Sequence, residues 1–420
     1  NPLNNLDFNG DAHVMSFEVN ENEIGDIFAH SEWDRSNKSV VLNGDLMYKT
    51  FRTFDFKGNY YTEGKRNARG ELNFLAFNLF FENTDIAFTN SFMDPDVVDE
   101  IEGALNGNLA IRGTLDKPII RGTVNLDDAK ANVKLLGARF GVEGPISVDK
   151  YGFYCDAIPI FDEEGNAGSI VGAVYHENFE NFNFDLMVDM EQEGIARDKS
   201  KPWIREPLDR FLVMNSQYSP ESLYYGKAYA TGEANISGYA DNLSIVVDLK
   251  TRKGTDIKFP MYGAGEIDEE YDFITFAQDS SSLTAKEERK IDFTGVDLDL
   301  HFDVTEDAGL QIIFNEELGD IISAKGYGNM AIKLDNLGDI RMDGTYTITE
   351  GVYDFTMGVI KQPFIIEEGG NITWTGNPYN AQLNLRTYKK LSANIAALSA
   401  DQFSGGTNAH EDIRCYLILT

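Results

Sequence analysis

The side chains best suited to chemistry lie in a run of alternating acids near residue 300. The stretch "GVDLDLHFDV" carries Asp297, Asp299, His301 and Asp303 on every second position. Carboxylates beside a histidine could bind a metal ion or form an acid–base pair. On a strand, residues two positions apart lie about 6–7 Å from each other, which is too open for a metal site without ligands from other strands. We therefore interpret this run as the hydrated face of a strand.

The remaining candidate motifs carry weaker signals. "DEEGNAG" at residues 162–168 resembles a calcium-binding loop only in its acids, and we interpret it as a hairpin turn. The five histidines are scattered, and none has the neighbours of a nucleophilic site. The two cysteines, Cys155 and Cys415, belong to no Cys/His cluster of the zinc-binding kind. We expect no enzymatic activity, no cofactor and no metal.

The charge of the chain restricts its partners. The sequence has 69 acidic and 36 basic residues, a formal net charge of −33. A field of that sign repels phosphate backbones, so nucleic acid is excluded as a partner. It also argues against the protein lying flat on an anionic membrane surface. No run of about 18 apolar residues is present, so we expect no membrane-spanning helix.

Alternation with a period of two dominates the sequence. It is clearest in "NFNFDLMVDM" (181–190) and in "GVDLDLHFDV" (295–304). Such alternation predicts strands with one buried and one hydrated face. The stretch at 369–388 reads as two strands joined by a tight turn. Helix signals are few, and the best lies at residues 93–105, where Asp94 could cap a first turn that contains Pro95. A second short helix is predicted within residues 201–214.

The apolar sides of these strands are predicted to line a hydrophobic groove. The predicted lining residues are Phe182, Phe184, Leu186, Val188, Met190, Leu243, Ile245, Val247, Val296, Leu298, Leu300, Phe302, Val304, Tyr353, Phe355, Met357, Ile372, Trp374, Leu383 and Leu385.

Internal repeats indicate how the strands are arranged. Residues 107–137 align with 328–358, with Gly107 matching Gly328 and Gly122 matching Gly344, and residues 232–250 form a looser copy. Repeated strand pairs suggest an elongated sheet, of roughly 30 strands and about 150 Å if continuous. A sheet with one apolar face must curl to cover it. The predicted fold is therefore all-β, an elongated, curled, antiparallel-rich sheet that forms an open hydrophobic groove. A closed sandwich core made of the same residues is the alternative.

Three segments are predicted along the chain. Residues 1–94 form a first groove segment, and residues 95–290 form a middle one with repeat units at 107–154 and 232–275. Residues 291–420 form the C-terminal segment.

Several stretches resemble the TamB family of AsmA-like proteins. The strongest resemblance is "GTYTITEGVYDFTMGVIKQPFIIEEGGNITWTGNPYNAQLNLRTY" (344–388), and "GALNGNLAIRGTLDKPIIRGTVNL" (103–126) shows the same pattern. The resemblance is clear over residues 95–388, whereas the first 90 residues resemble the family only in their general pattern. The asparagine- and acid-rich composition resembles the Bacteroidetes branch of the family.

The resemblance implies a role and a location. The family forms periplasmic bridges of Gram-negative bacteria, anchored to the inner membrane by an N-terminal helix, with a β groove (a "β-taco") and a TamA-type outer-membrane barrel partner. We expect this chain to be a part of such a protein that lacks the anchor and the last part of the barrel-contacting region. The implied function is transport of phospholipid, held by its acyl chains, between the two membranes. The alternative is a scaffold that assists assembly or secretion of outer-membrane barrel proteins by strand pairing. A secreted carbohydrate-binding β-solenoid is a third, less favoured class.

Overall fold

The structure is a computed structural model. It describes residues 9–19, 22–48, 51–68, 70–93, 95, 97–178, 180–191, 210–219, 224–260, 295–315, 319–336, 339–357, 360–378, 380–394 and 410–419.

The described residues fall into two compact units. Unit 1 comprises Asn1–Ser216, Thr231–Val247 and Gly295–Asp297, and unit 2 comprises Gln217–Ala230, Asp248–Thr294 and Leu298–Thr420. Almost all of the described residues of each unit lie in β-strands, as the alternating pattern predicts. The strands up to the point where the chain leaves unit 1 are β1 (Asn9–Val19), β2 (Asn22–Asp34), β3 (Ser39–Tyr48), β4 (Phe51–Arg66), β5 (Leu72–Asp85), β6 (Val98–Gly113), β7 (Pro118–Val133), β8 (Ala138–Val148), β9 (Gly152–Phe161), β10 (Ala167–Glu177), β11 (Glu180–Asp189) and β12 (Phe211–Ser216).

The later strands belong partly to unit 1 and mainly to unit 2. Two of them, β13 and β14, have residues in both units, and β16 begins in unit 1 and continues in unit 2. The later strands are β13 (Tyr225–Tyr239), β14 (Asn242–Thr251), β15 (Asp256–Pro260), β16 (Val296–Asn315), β17 (Asp320–Leu334), β18 (Ile340–Met357), β19 (Ile360–Ile366), β20 (Asn371–Gly376), β21 (Gln382–Asn394) and β22 (His410–Leu419).

Strand pairing follows the chain closely. In unit 1 each strand from β1 to β11 pairs antiparallel with the next, and β11 then pairs with β13. In unit 2 the antiparallel order is β16, β17, β18, then β19 and β20 side by side along β18, then β21 and β22. Strand β15 runs parallel to β16. The prediction of an all-β, antiparallel-rich sheet is confirmed.

The helix predicted at residues 93–105 is wrong. Val98–Gly113 is strand β6, which pairs with β5 on one side and β7 on the other, and a short 3-10 helix precedes it at Ala87–Phe92. Backbone pairing along two neighbours outweighs the weak local preference for a helix. The second predicted helix falls mostly on 201–209, outside the described residues, and its end is strand β12.

The turn at 162–168 joins β9 to β10, as predicted, and its first acid is buried. Asp162 is 6% exposed and accepts hydrogen bonds from the backbone N–H of Glu164 (2.9 Å) and of Asn166 (2.8 Å). It also accepts one from the N–H of Leu212 on β12 (2.6 Å). Burial raises the pKa of this carboxyl, although the hydrogen bonds of Asn166, Leu212 and Glu164 oppose the shift. Asp162 therefore connects the turn to β12, whose Phe211 and Leu212 are buried.

The core of unit 2 is formed by one face of its sheet. Ile312 on β16 and Leu385 on β21 belong to the same buried cluster although three strand positions separate them, so the sheet curls around this face. Tyr346 lies within it and donates a hydrogen bond to the carbonyl of Ala308 (3.3 Å). Burial raises the pKa of this phenol far above its usual range. The buried members are Ile312, Ile322, Ala324, Met330, Met342, Tyr346, Ile348, Tyr353, Ile366, Ile372, Trp374 and Leu385.

The aligned repeats share one backbone contact. Gly122 lies opposite Leu109, and its counterpart Gly344 lies opposite Met330, at matching positions of the two repeats. A Cβ on Gly344 would come within 2.4 Å of the carbonyl oxygen of Asn329, and one on Gly122 within 2.3 Å of that of Asn108. Both glycines have a positive φ, +154° at Gly122 and +138° at Gly344. The repeat therefore preserves a close approach of two strands that only glycine permits.

Replacing that glycine should destabilise unit 2. We expect Gly344→Ala to lower the free energy of unfolding by roughly 2–4 kcal/mol, because strain and a clash with backbone add together. Gly10→Ala is the control, since a Cβ there meets no atom within 4 Å. Urea denaturation followed by circular dichroism measures both, and equal midpoints for the two variants would contradict the assignment.

Candidate functional site: an apolar face across the strands

Strand β11 shows the predicted division into two faces. Phe182, Phe184, Leu186 and Val188 are partly buried, while Asp185 on the other face is exposed. Met190, the residue after the strand, is buried. The neighbours of β11 decide whether its apolar side continues across the sheet.

A row of apolar residues crosses unit 1 from β2 to β13. Each member is the direct register partner of the next, so their side chains lie on one face of the sheet. Phe184 pairs with Val174 on one side and with Gly238 on the other. Eleven strands contribute one residue each. The row is Ala29, Gly44, Phe56, Leu79, Leu109, Gly122, Val148, Phe153, Val174, Phe184 and Gly238.

A second row runs beside the first on the same face. Leu186 connects Gly172 on β10 with Ile236 on β13. The second row is Phe81, Gly107, Val124, Ile146, Cys155, Gly172, Leu186 and Ile236. Together we call these two rows the apolar face of unit 1. Most of its members are partly buried, and Val124 and Val148 are fully buried.

Burial shifts the pKa of two titratable groups, Cys155 in the second row and His176 beside the face, in the direction that disfavours charge. Cys155 is a free cysteine whose thiol donates to the carbonyl of Gly172 (3.6 Å), and burial raises its pKa. The imidazole of His176 lies between the rings of Phe153 and Phe182, at 5.5 and 6.1 Å, and burial lowers its pKa. Both shifts favour the uncharged form.

The strands of unit 2 show the same arrangement of register partners. Val304 on β16 leads through Gly328 and Tyr346 to Ile372 and Leu383, each the register partner of the next. This places predicted lining residues from two distant parts of the sequence, Val304 on one side and Ile372 with Leu383 on the other, in one row. A neighbouring row contains Phe302, Met330, Gly344 and Trp374.

The predicted lining residues differ in their exposure. Ile372, Leu385, Trp374 and Tyr353 are fully buried in the core cluster of unit 2. Most others are partly buried, and Val247 is buried. The side chain of Met357 lies outside the described residues. The partly buried residues are Phe182, Phe184, Leu186, Val188, Leu243, Ile245, Val296, Leu298, Leu300, Phe302, Val304, Phe355 and Leu383.

The acidic run on β16 forms part of the hydrated surface. Asp297, His301 and Asp303 are exposed. Asp299 pairs with Lys333 Nζ at 2.9 Å, and Asp303 pairs with Lys250 Nζ at 3.2 Å. These acids face cations of neighbouring strands, and among the described residues no group of three or more histidines, cysteines or acids could hold a metal ion.

Residues that the sequence interpretation missed complete the face of unit 1. Leu79, Leu109, Phe153 and Val174 lie in the first row but were not among the predicted lining residues. On β5 the signal was present, since Leu75, Phe77 and Leu79 alternate as β11 does. On β9 the alternation is interrupted, because its pairing with β10 shifts between Ile170 and Gly172.

In the part of the chain that the structure describes, the fold and this face define a class of β-sheet protein that presents an apolar row across eleven strands. Among the described residues, no helix has the length and apolar content needed to cross a bilayer. The family model of the TamB C-terminal domain matches residues 159–420, from within β9 to the end of the chain. The chain belongs to the TamB family.

That membership carries general expectations. The family is periplasmic and anchored to the inner membrane, has a role in outer-membrane protein assembly or lipid transport, and in general associates with a TamA-like outer-membrane partner. No curated protein matches the chain, and no solved structure does. The assignment to the Bacteroidetes branch stays a prediction.

Two predicted lining residues of unit 2, Leu385 and Leu300, differ in how completely their side chains are enclosed. Leu385 is 1% exposed, whereas Leu300 is partly buried. We expect Leu385→Ala to lower the free energy of unfolding by about 3 kcal/mol and Leu300→Ala by about 1 kcal/mol, since only the first leaves a closed cavity. Urea denaturation of both variants checks this. Equal losses would mean that the two leucines are equally enclosed.

Proposed function

We propose that this chain carries phospholipid acyl chains along its apolar face. The observation that supports the proposal is the first row of unit 1, in which eleven strands place apolar residues or glycine side by side. An acyl chain is a flexible apolar rod and needs a continuous apolar surface rather than a specific pocket. Each methylene removed from water contributes roughly 0.8 kcal/mol, so contact area alone can hold it.

The exposure of the face suits a ligand that must also leave. Phe184 and Val174 are only partly buried, so an acyl chain would remove further apolar surface from water. A surface without charged or directional contacts lets a tail slide, because each step exchanges one apolar contact for another.

The wider role rests on the family. We propose that the chain is part of a periplasmic bridge that carries phospholipid between the inner and outer membranes, with a TamA-type barrel as its outer-membrane partner. The role is non-enzymatic and needs no cofactor. The burial that raises the pKa of Cys155 and lowers that of His176 supports it, because a charge at the apolar face would oppose an acyl chain.

One charge in the first row tests the proposal. The chain, purified without detergent from a Gram-negative host, should retain phospholipid in native mass spectrometry. Phe184→Arg should reduce the retained lipid roughly tenfold, because the acyl chain would have to lie against a charged group.

Asn183→Arg is the matched control. It adds the same charge at the position directly before Phe184 on β11, where the side chain lies on the opposite face of the sheet. Wild-type protein free of lipid, or equal losses in Phe184→Arg and Asn183→Arg, would contradict the proposal.

Strand addition is the second candidate function, and strand β22 is the observation that favours it. β22 pairs with β21 over its whole length, and within the described part of the chain no strand pairs with its other edge. An unpaired edge can accept an extended segment of another protein. A nascent outer-membrane barrel protein would offer such a segment.

A peptide titration examines this second function. Peptides that carry the terminal strand of an outer-membrane barrel should bind saturably, as measured by fluorescence anisotropy. The same peptides with N-methylated backbone amides should bind much more weakly, since they cannot donate the ladder hydrogen bonds. Non-saturable binding, or no effect of methylation, would argue against strand addition.

A further inference from the structure

The outer face of the last strands of unit 2 carries an exposed apolar and aromatic row. Val352 on β18, Ile365 on β19, Tyr388 on β21 and Tyr416 on β22 are successive register partners. Val352 is 39%, Ile365 45% and Tyr416 41% exposed. The residues that alternate with them, such as Leu385, point into the core. At the usual strand spacing the row is about 14 Å wide.

Basic side chains lie among these rings. The guanidinium of Arg386 lies 4.4 Å from the centre of the Tyr416 ring, and that of Arg414 lies 5.0 Å from the centre of the Tyr388 ring. The tyrosines are themselves 6.2 Å apart. Lys390 is the register partner of Arg414, and Ile418, which is 65% exposed, is the partner of Arg386. The Tyr/Arg patch comprises Val352, Ile365, Arg386, Tyr388, Lys390, Arg414, Tyr416 and Ile418.

The charge of the patch is opposite to that of the chain. Glu367 pairs with the patch residue Arg386 at 3.4 Å, and Glu350, two residues before Val352, pairs with Lys325 at 2.9 Å. Asp354 at the rim pairs with Lys361 at 3.5 Å, and Asp412 lies opposite Ser392 farther along β22. At physiological salt the Debye length is about 8 Å, so the distant acids that give the net charge of −33 are screened from a partner held against the patch.

We propose that the Tyr/Arg patch docks on the headgroup layer of an anionic phospholipid membrane. Tyrosines prefer the boundary between water and lipid, where the ring meets apolar groups and the hydroxyl remains hydrated. Arginines and lysines near an anionic surface each add electrostatic attraction. The patch lies on a sheet face rather than in a groove, which suits a planar surface better than a peptide. This inference goes beyond the proposed function, because it concerns headgroups and the face opposite the core.

Vesicle co-sedimentation tests the proposal on the full chain. The probes are vesicles of phosphatidylcholine mixed with phosphatidylglycerol, and vesicles of phosphatidylcholine alone. Wild-type protein should bind the mixed vesicles, with an affinity that falls as salt rises, and should bind the neutral vesicles much more weakly. The triple variant Arg386→Gln, Lys390→Gln, Arg414→Gln should lose about a hundredfold in affinity for the mixed vesicles.

The matched control removes three positive charges from exposed positions away from the patch. Lys250→Gln, Lys333→Gln, Arg341→Gln changes the net charge equally and replaces exposed residues that pair with acids outside the patch. This variant should bind the mixed vesicles as wild type does, and circular dichroism should show native strand content in both triple variants.

Four outcomes would overturn the proposal. The first is that wild-type protein binds neutral and mixed vesicles equally. The second is that the patch variant binds the mixed vesicles as wild type does, and the third is that the control variant loses as much affinity as the patch variant. The fourth is that wild-type protein does not bind the mixed vesicles, whether or not it binds poly-glutamate or self-associates through the patch. Retained lipid in native mass spectrometry tests the apolar face independently, so failure of this proposal and failure of the proposed function can be told apart.

Discussion

Register is the constraint on which the structure depends. A slip of one residue would turn the whole apolar side of a strand toward water, so each strand must match its neighbours along the sheet. Unit 1 maintains this match across eleven strands despite several bulges. On β7 the register shifts between Leu126 and Ala129, and Asp128 within the shift has a φ of +50°. This bulge absorbs one extra residue on β7, and the shift between Tyr60 and Lys65 on β4 absorbs three.

Bulges also set the limit of what the sequence predicts. The clean alternation of β11, and of β16 as far as Val304, allowed the residues that share a face to be predicted one by one. On β9 the apolar residues Phe153 and Cys155 have odd numbers, but the next apolar residue on the strand, Ile158, has an even number, so the alternation is broken. Ala157, which lies between Cys155 and Ile158, has a φ of +48°. An alanine gives no sign that it will adopt this conformation, since glycine or asparagine would be expected there. The face of β9 is therefore visible only in the structure.

The pattern of a strand also does not reveal what covers its apolar side. Leu385 and Leu300 occupy equivalent places in alternating sequences, yet the first is fully buried and the second is partly open. The difference comes from the curl of the sheet in unit 2, which depends on the twist of many strands together. The sequence can thus predict which residues share a face, but not whether that face is closed. The β6 strand, predicted as a helix, shows the same dependence on neighbours.

The shared contact of Gly122 and Gly344 has an evolutionary consequence. A strand pair that keeps this glycine opposite its partner residue fits against the pairs before and after it without altering their faces. Duplication or loss of one hairpin would then change the length of such a sheet by two strand spacings, about 10 Å, and leave the rows intact. Proteins of this design can adjust their length in fixed increments, and so follow changes in the distance that they must cover.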